Sequence, residues 1–511
     1  MGNSEVKIPL FKAGDVSGIV YTFFGNIGNF ILVAATLLSF GWPEDLVFGK
    51  VIPGICMGLI FQGFYYAWMA YKLGKKEGRS DVTALPSGLS SPAVFVFLFG
   101  VIMPLQFGLN LEPEKVWQAA VAACFIGGLV EVIGGFIGPF IRKIVPRAAM
   151  LATVAGIALV WMGTKGLYDV YASPVLGMPV LMIAIIGLIG GYMFPGKIPP
   201  LLVSLGFGII YALALGEASF DLTGVGQATL PVFAVKEIVE GYKLIIPYLS
   251  VIIPIEIYNF IETMDNVESA IAAGDNYHVG EAQIVDGLAT MISALFGGVV
   301  PNTVWLGHAG LKKGNAGIGF SWISSILYII CGFFGVFYFF YKLMPEVLIA
   351  ITYLWCAIIM VAQAFIDTPR RHGAAIAIGL IPHLANYAYT EITGALSAVG
   401  IEEITNEIGQ KLLDAGVMWG GLEELNNGAI ISGMAWATMT VFIIDRSLDK
   451  AGHTCLFCAI ASFFGFIHAY ELGINAAPIG YTIGYLSMAL ICYGMHLFRH
   501  KLEVPRRYDY V

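Results

Sequence analysis

Runs of about 20 apolar residues recur along this chain from residue 17 to residue 498, and they limit what it can fold into. A helix of that length matches the hydrocarbon thickness of a bilayer. The runs fall near 17–40, 48–72, 83–104, 116–141, 146–165, 174–193, 199–215, 246–272, 280–299, 301–311, 315–340, 346–366, 371–389, 427–444, 452–470 and 477–498. They amount to about sixteen membrane segments, two of them short or interrupted. Only 12% of the residues are charged, about half the share usual in a soluble domain. The chain therefore reads as an all-α polytopic protein, integral to the plasma (inner) membrane, with the lipid bilayer as its solvent.

The opening MGNSEVKIPLFKAGD lacks the basic region, short apolar core and small-residue cleavage site of a signal peptide. Its sixth residue is Val6, so the myristoylation pattern is not met. Seven cysteines lie mostly inside apolar runs, and their odd number argues for packing over a disulfide framework. Cys455 and Cys458 form CLFC, but no second pair exists to complete a metal site. If the N-terminus is cytoplasmic, twenty of the 27 Lys and Arg residues fall on the inner side. That positive-inside bias puts both termini in the cytoplasm and the loops around 216–245 and 390–426 outside.

The two halves of the chain echo each other. YTFFGNIGNF (21–30) in segment one matches YNFIETMDNV (258–267) in segment eight, with Tyr21 against Tyr258 and Asn29 against Asn266. Each is followed by a further span and then by a helix-breaking run, TALPSGLSSP (83–92) or GGVVPNTVWLGHAG (297–310). The charge bias starts segments one and eight on opposite sides, so the repeats are inverted. Interrupted segments at matching positions of two repeats point to a transporter's binding site. The expected division is 1–215 for the first repeat, 216–245 for an extracellular linker and 246–445 for the second repeat. Residues 446–511 then hold two extra C-terminal helices and a cytoplasmic tail.

Residues 259–275, NFIETMDNVESAIAAGD, place three carboxylates within seven residues of an otherwise apolar span. A carboxylate at mid-bilayer costs at least ~2.5–3.5 kcal/mol, so such groups face a cavity or a partner. At the helical repeat Asn259, Glu262, Thr263 and Asn266 share one stripe. Asp265 lies about 60° from Glu262 and Glu268 about 120° away. Glu262 is the leading candidate to bind substrate and to carry a proton. Asp265 and Glu268 are candidates for structure or cation coupling, as are the isolated acids Glu131 and Asp286. At the interrupted segments, helix N-termini would attract electronegative atoms. Ala84, Ser87, Asn302, Thr303 and Val304 would present backbone or short polar groups there. Tyr21 and Phe24, with Tyr258 and Trp305, could form an aromatic wall. His308 is the histidine of this constellation, either a proton relay or a helix cap.

No phosphate-binding loop appears, which argues against ATP-driven transport, and neither HExxH nor GxSxG occurs. No enzyme activity, cofactor, metal or nucleic-acid partner is expected.

The acidic segment eight, the broken segment ten and the LPSGLSSP of segment three resemble the xanthine/uracil permeases, the nucleobase:cation symporter-2 family. The resemblance covers roughly 15–445. It implies two inverted seven-segment repeats, divided into core and gate domains, with short strands in segments three and ten. It implies elevator-type alternating access, proton-driven uptake of a purine- or uracil-like nucleobase, and a homodimer. Glu262 falls where the family hydrogen-bonds the base, and Asn266 on a polar partner one turn on. The chain departs from the family at Gly307, where an acid would stand, and at Gly18 and Ile19, where many members carry a Gln-His pair. The expected function is therefore proton-coupled (or Na⁺-coupled) import of a nucleobase-like heterocycle. The alternatives are an anion or carboxylate transporter of the same inverted-repeat fold, like the sulfate permeases, and a non-transporting membrane receptor.

Overall fold

The structure is a computed structural model, and it describes residues 6–192, 194–195, 200–401, 404–470 and 472–501. The cytoplasmic tail expected after residue 501 lies outside the described residues. Among these, five helices are long and apolar enough to cross a membrane, or seven if each of two bent pairs forms one span. Many of the sixteen apolar runs are shorter or broken helices. The sequence sets their limits through Pro, Gly and wide helical turns. Gly319–Phe333 and Val336–Leu343, for example, meet at 83° around Gly335, whose φ is +71°.

The chain divides into two compact units. The first comprises 1–139, 165–246 and 255–355. Here Ile52–Glu77 starts with Pro53 in its first turn and stops at Gly78, left-handed at φ +67°, whose N–H reaches back to Gly74 O. Pro inside the start and Gly past the end is the expected asymmetry for a helix. The helix Pro113–Ile144 carries two glycine pairs, seven residues apart, toward its neighbours. A Cβ on Gly128 would lie 2.6 Å from Gly287 O, and one on Gly134 2.8 Å from the Phe260 ring. These small residues let Pro113–Ile144 approach the helices Leu249–Ala272 and Val279–Leu295 closely, as membrane helices do where lipid offers no hydrophobic drive. We call Leu249–Ala272 the carboxylate helix.

Strands β1 (Ser87–Leu89) and β2 (Asn302–Val304) pair antiparallel, with Ser87 opposite Val304, Gly88 opposite Thr303 and Leu89 opposite Asn302. Pro86, Pro92 and Pro301 forbid a continuous helix through either segment. Backbone freed at that depth needs partners other than water. Besides the ladder, Ser90 N donates to Pro301 O at 3.0 Å and Trp305 N to Pro86 O at 2.7 Å. The two expected strands in segments three and ten are thus present, each completing the other.

The second unit comprises 140–164, 247–254 and 356–511. Arg147–Ile157, Gly373–Ala398 and Ala429–Ile444 pack through Ala149, Ala152, Ala155, Ala375 and Ala437. Two further helices, Leu448–Phe463 and Ile479–Leu497, follow. They lie side by side, with Gly452 against the Tyr493 ring.

The stretches read as outer loops also carry helices. Val235–Ile245 packs Gly241 onto the Gln118 backbone, because VKEIVEGYKLI alternates polar and apolar residues at helical spacing. Asn406–Asp414 and Trp419–Asn426 occupy much of 390–426.

Candidate functional site

The site lies within the first unit, where the carboxylate helix runs beside β2. Asn259 Nδ2 donates to Asn302 O at 2.9 Å, and Asn266 Nδ2 to Val304 O at 2.7 Å. Between them the Thr263 and Thr303 hydroxyls meet at 2.9 Å. Seven residues span two helical turns, so Asn259 and Asn266 reach carbonyls two residues apart on one strand edge. The helix thereby satisfies the edge of β2 that β1 does not.

Asn26 serves β1 in the same way. It accepts from Leu89 N at 2.9 Å and donates toward Ser87 O at 3.4 Å, while Tyr328 OH lies 2.9 Å from its Nδ2. In the register that sets Tyr21 against Tyr258, Asn26 falls on Thr263 and Gly25 on Glu262. The two repeats thus use equivalent positions to hold their strands, while only the second supplies an acid. Trp305 covers the Gly25 position, and a Cβ on Gly25 would meet its ring at 2.7 Å.

Asp286, on Val279–Leu295, is fully buried and surrounded by donors. Gln62 Nε2 at 2.5 Å, Val304 N at 2.9 Å, and the Tyr66 and Thr263 hydroxyls all donate to its carboxylate. Asn302 turns its own amide onto Gln62 Oε1 at 3.2 Å. Four donors satisfy most of a carboxylate's acceptor capacity, so Asp286 fastens β2 to two helices.

Glu262 points elsewhere. Its Oε2 accepts from Ser90 Oγ at 3.3 Å, and Tyr258, one turn earlier, lies beside its carboxyl. Ser90 is extended at φ −69° and ψ +99° and precedes the helix that begins at Ser91. That apolar helix runs on through Phe107. Its first-turn N–H groups lack intrahelical partners. Glu262 thus sits against the positive end of a helix, with 9% of its surface open.

The other sequence candidates take varied positions. Tyr21 and Phe24 lie in the wide π turn Val20–Phe24, half-buried. Tyr21 OH donates to Leu306 O at 2.6 Å, and its ring meets Trp305 edge-on at 5.8 Å. Ala84 is buried in the extended run before β1, its N–H on Gly317 O at 2.9 Å. Ser87 opens β1 and is half-buried. Asp265 and Glu268 are half-buried on the other faces of the carboxylate helix.

His308 is placed away from the strands' ladder, with Nε2 2.9 Å from Asp275 Oδ2. Asp275 also binds Arg79 Nη2 at 2.7 Å, Thr83 N at 3.2 Å and the Lys312 ammonium. Burial works to raise its pKa, but the hydrogen bonds from His308, Lys312 and Arg79 prevail and hold it well below the usual carboxylate range. This latch joins the entrance of segment three to the end of segment ten. Nothing local in the sequence marks this role for Asp275, because its partners are remote in the chain.

Glu256 escaped sequence reading as well. It is fully buried one turn before Asn259, facing Glu131 of Pro113–Ile144. Its spacing of three and seven from Asn259 and Thr263 was the available signal, obscured by its position in the apolar run VIIPIEIY.

No protein-family model and no curated protein matches the chain. Solved structures do. SLC26A9 superposes with a TM-score of 0.52 at 11% identity, over 84% of this chain and 65% of that one. The transmembrane domain of a cyanobacterium bicarbonate transporter, BicA, gives 0.48 at 16% identity over 76% and 96%. The murine Slc26a9 anion transporter in its inward-facing state gives 0.45 at 11% over 76% and 69%. The chain thus spans about two thirds of the SLC26A9 chain. The SLC26A9 superposition shows the fold, a helical inverted-repeat fold, and the long apolar helices mark an integral membrane protein.

The SLC26A9 superposition overturns the assignment to the xanthine/uracil permeases. Position 307 gives a physical reason for the misfit. Gly307 has φ +100°, and a Cβ there would lie 3.1 Å from Tyr21 OH. Side chains with a Cβ rarely adopt that backbone, so the family's acid has no place at this position.

Proposed function

We propose that this chain is a secondary active transporter that moves a small inorganic or carboxylate anion together with a proton, by elevator-type alternating access. The observation that carries this reading is the meeting of Glu262 with Ser90 at the start of the Ser91–Phe107 helix. A helix N-terminus attracts negative charge through its free N–H groups and aligned dipoles. Ionised, Glu262 is itself the anion at that terminus and repels another. Protonated, it becomes a hydrogen-bond donor and leaves the helix field to the substrate. Anion and proton therefore favour each other's binding, and such linkage is reciprocal. The paired broken segments support binding near mid-membrane. Further support is the fold shared with SLC26A9, whose murine form is described as an anion transporter.

The test uses the purified full-length protein in proteoliposomes whose exterior is more acidic than their lumen. Labelled bicarbonate, sulfate and formate are offered one at a time. Accumulation of at least one, collapsed by a protonophore, is the expected result. If a neutral heterocycle accumulates and none of the anions does, the reading fails.

A further inference from the structure

A second acidic site lies deeper, between the carboxylate helix and Pro113–Ile144. Asn259 Nδ2 touches Glu131 Oε1 at 2.5 Å, Asn302 O at 2.9 Å and Glu256 Oε2 at 3.4 Å. An amide nitrogen carries two hydrogens, so three acceptors compete for two donors. Glu131 Oε2, Glu256 Oε1 and Asn259 Oδ1 are buried with no hydrogen-bond partner among the described residues. Glu256 Oε1 is aimed at the face that carries Glu131. A Cβ on Gly127, one turn before Glu131, would lie 2.3 Å from it.

All three side chains are at most 1% exposed. The ion pairs that Lys, Arg and His form among the described residues involve other acids. Asp286, at comparable burial, has four donors to itself, whereas this pair of acids shares the Asn259 amide and the Thr290 hydroxyl beside Glu131. Two carboxylates so placed in a dry interior do not both stay charged without a cation between them. The other titratable groups facing the pair are Asp286 from Val279–Leu295, Cys124 from Pro113–Ile144 and Tyr66 from Ile52–Glu77, all acids or neutral. None supplies positive charge.

We propose that Glu131 and Glu256, bridged by Asn259, form an exchangeable site for one monovalent cation, a proton or a sodium ion, distinct from Glu262. Its role in driving transport rests on the transporter reading, but occupancy of the site does not. The cation supplies what the amide lacks, a third positive partner for the crowded acceptors. Asn259 ties the site to β2 through Asn302 O, so its occupancy is felt at the strand beside Glu262.

The experiment reads occupancy without any substrate. Infrared spectra of the full-length protein in nanodiscs are recorded in sodium chloride and in choline chloride at one pH, for wild type, Glu131→Gln and Glu256→Gln. Melting temperatures are recorded in the same salts. A resident proton gives a protonated-carboxyl carbonyl band in both salts that either substitution removes or shifts. A sodium site gives that band only in choline, with a sodium-dependent rise in melting temperature that either substitution abolishes. If neither band nor sodium dependence changes in whichever variants fold, the site is overturned, whatever the uptake assays show. Should one variant fail to fold, the other decides.

Discussion

The Ser90 hydroxyl donates to Glu262 Oε2 at 3.3 Å, joining an acid of segment eight to the first residue before a helix of segment three. The two lie 172 positions apart in sequence, and only the paired strands bring them together. What keeps those strands in place therefore bears on the site.

Gly88 is the tightest point of β1. A Cβ there would fall 2.4 Å from Asn26 Nδ2 and 2.5 Å from the Trp305 ring. Neither can yield easily, because Asn26 holds Leu89 N and Trp305 Nε1 donates to Leu89 O at 2.9 Å. Gly88→Ala should destabilise the protein by about 1–3 kcal/mol through overpacking. Thermal melts in detergent check this, and an unchanged midpoint would mean that the contact relaxes freely.

Asp286 and Asn266 both hold β2, but with unequal consequence. Asp286→Ala removes four hydrogen bonds at once and leaves the donors only their second acceptors, such as Ala282 O for Tyr66 and Thr303 O for Gln62, at about 1 kcal/mol for each bond lost. Asn266→Ala loses a single bond to Val304 O, about 1 kcal/mol. Asp286→Ala should therefore lower the melting temperature several times more than Asn266→Ala. Equal shifts would show that Asp286 does not fasten the strand.

The latch at Asp275 predicts a pH dependence. Its carboxyl is held below the usual range in the folded protein, so its contribution is complete above the unfolded value of about 3.9. That contribution falls away only as the pH drops below this range toward the lower folded value. Asp275→Asn should lower the melting temperature at neutral pH. It should also narrow the gap to wild type in strong acid, a trend read from melts across a pH series.

Membrane class, repeat and strands were legible in the sequence because each follows from local signals. Apolar length marks spans, and Pro86 and Pro301 mark the places where helices must stop. The stripe Asn259, Thr263 and Asn266 was visible too, since it depends only on helical spacing. Its partners were not, because a strand carbonyl leaves no trace in the side-chain sequence. Expecting these residues to line a cavity overlooked the backbone of β2, which Asn259 and Asn266 hold. His308 was visible as an unusual residue, but its partner Asp275 lies 33 positions away across a loop. Glu256 looked like part of an apolar run, and only the folded chain sets it against Glu131. Family assignment failed for a related reason. The helix-breaking motifs report the inverted-repeat fold, while the residue at 307 reports the chemistry.

Proton flux driven by an anion gradient tests the role of Glu262 most directly. Proteoliposomes loaded with a pH-sensitive dye receive an inward gradient of the anion that accumulates in uptake assays, with no initial pH difference. Coupling through Glu262 predicts acidification of the lumen by wild type. For Glu262→Gln it predicts at least about a tenfold slower acidification, equivalent to ~1.4 kcal/mol. Acidification by Glu262→Gln at the wild-type rate would contradict it.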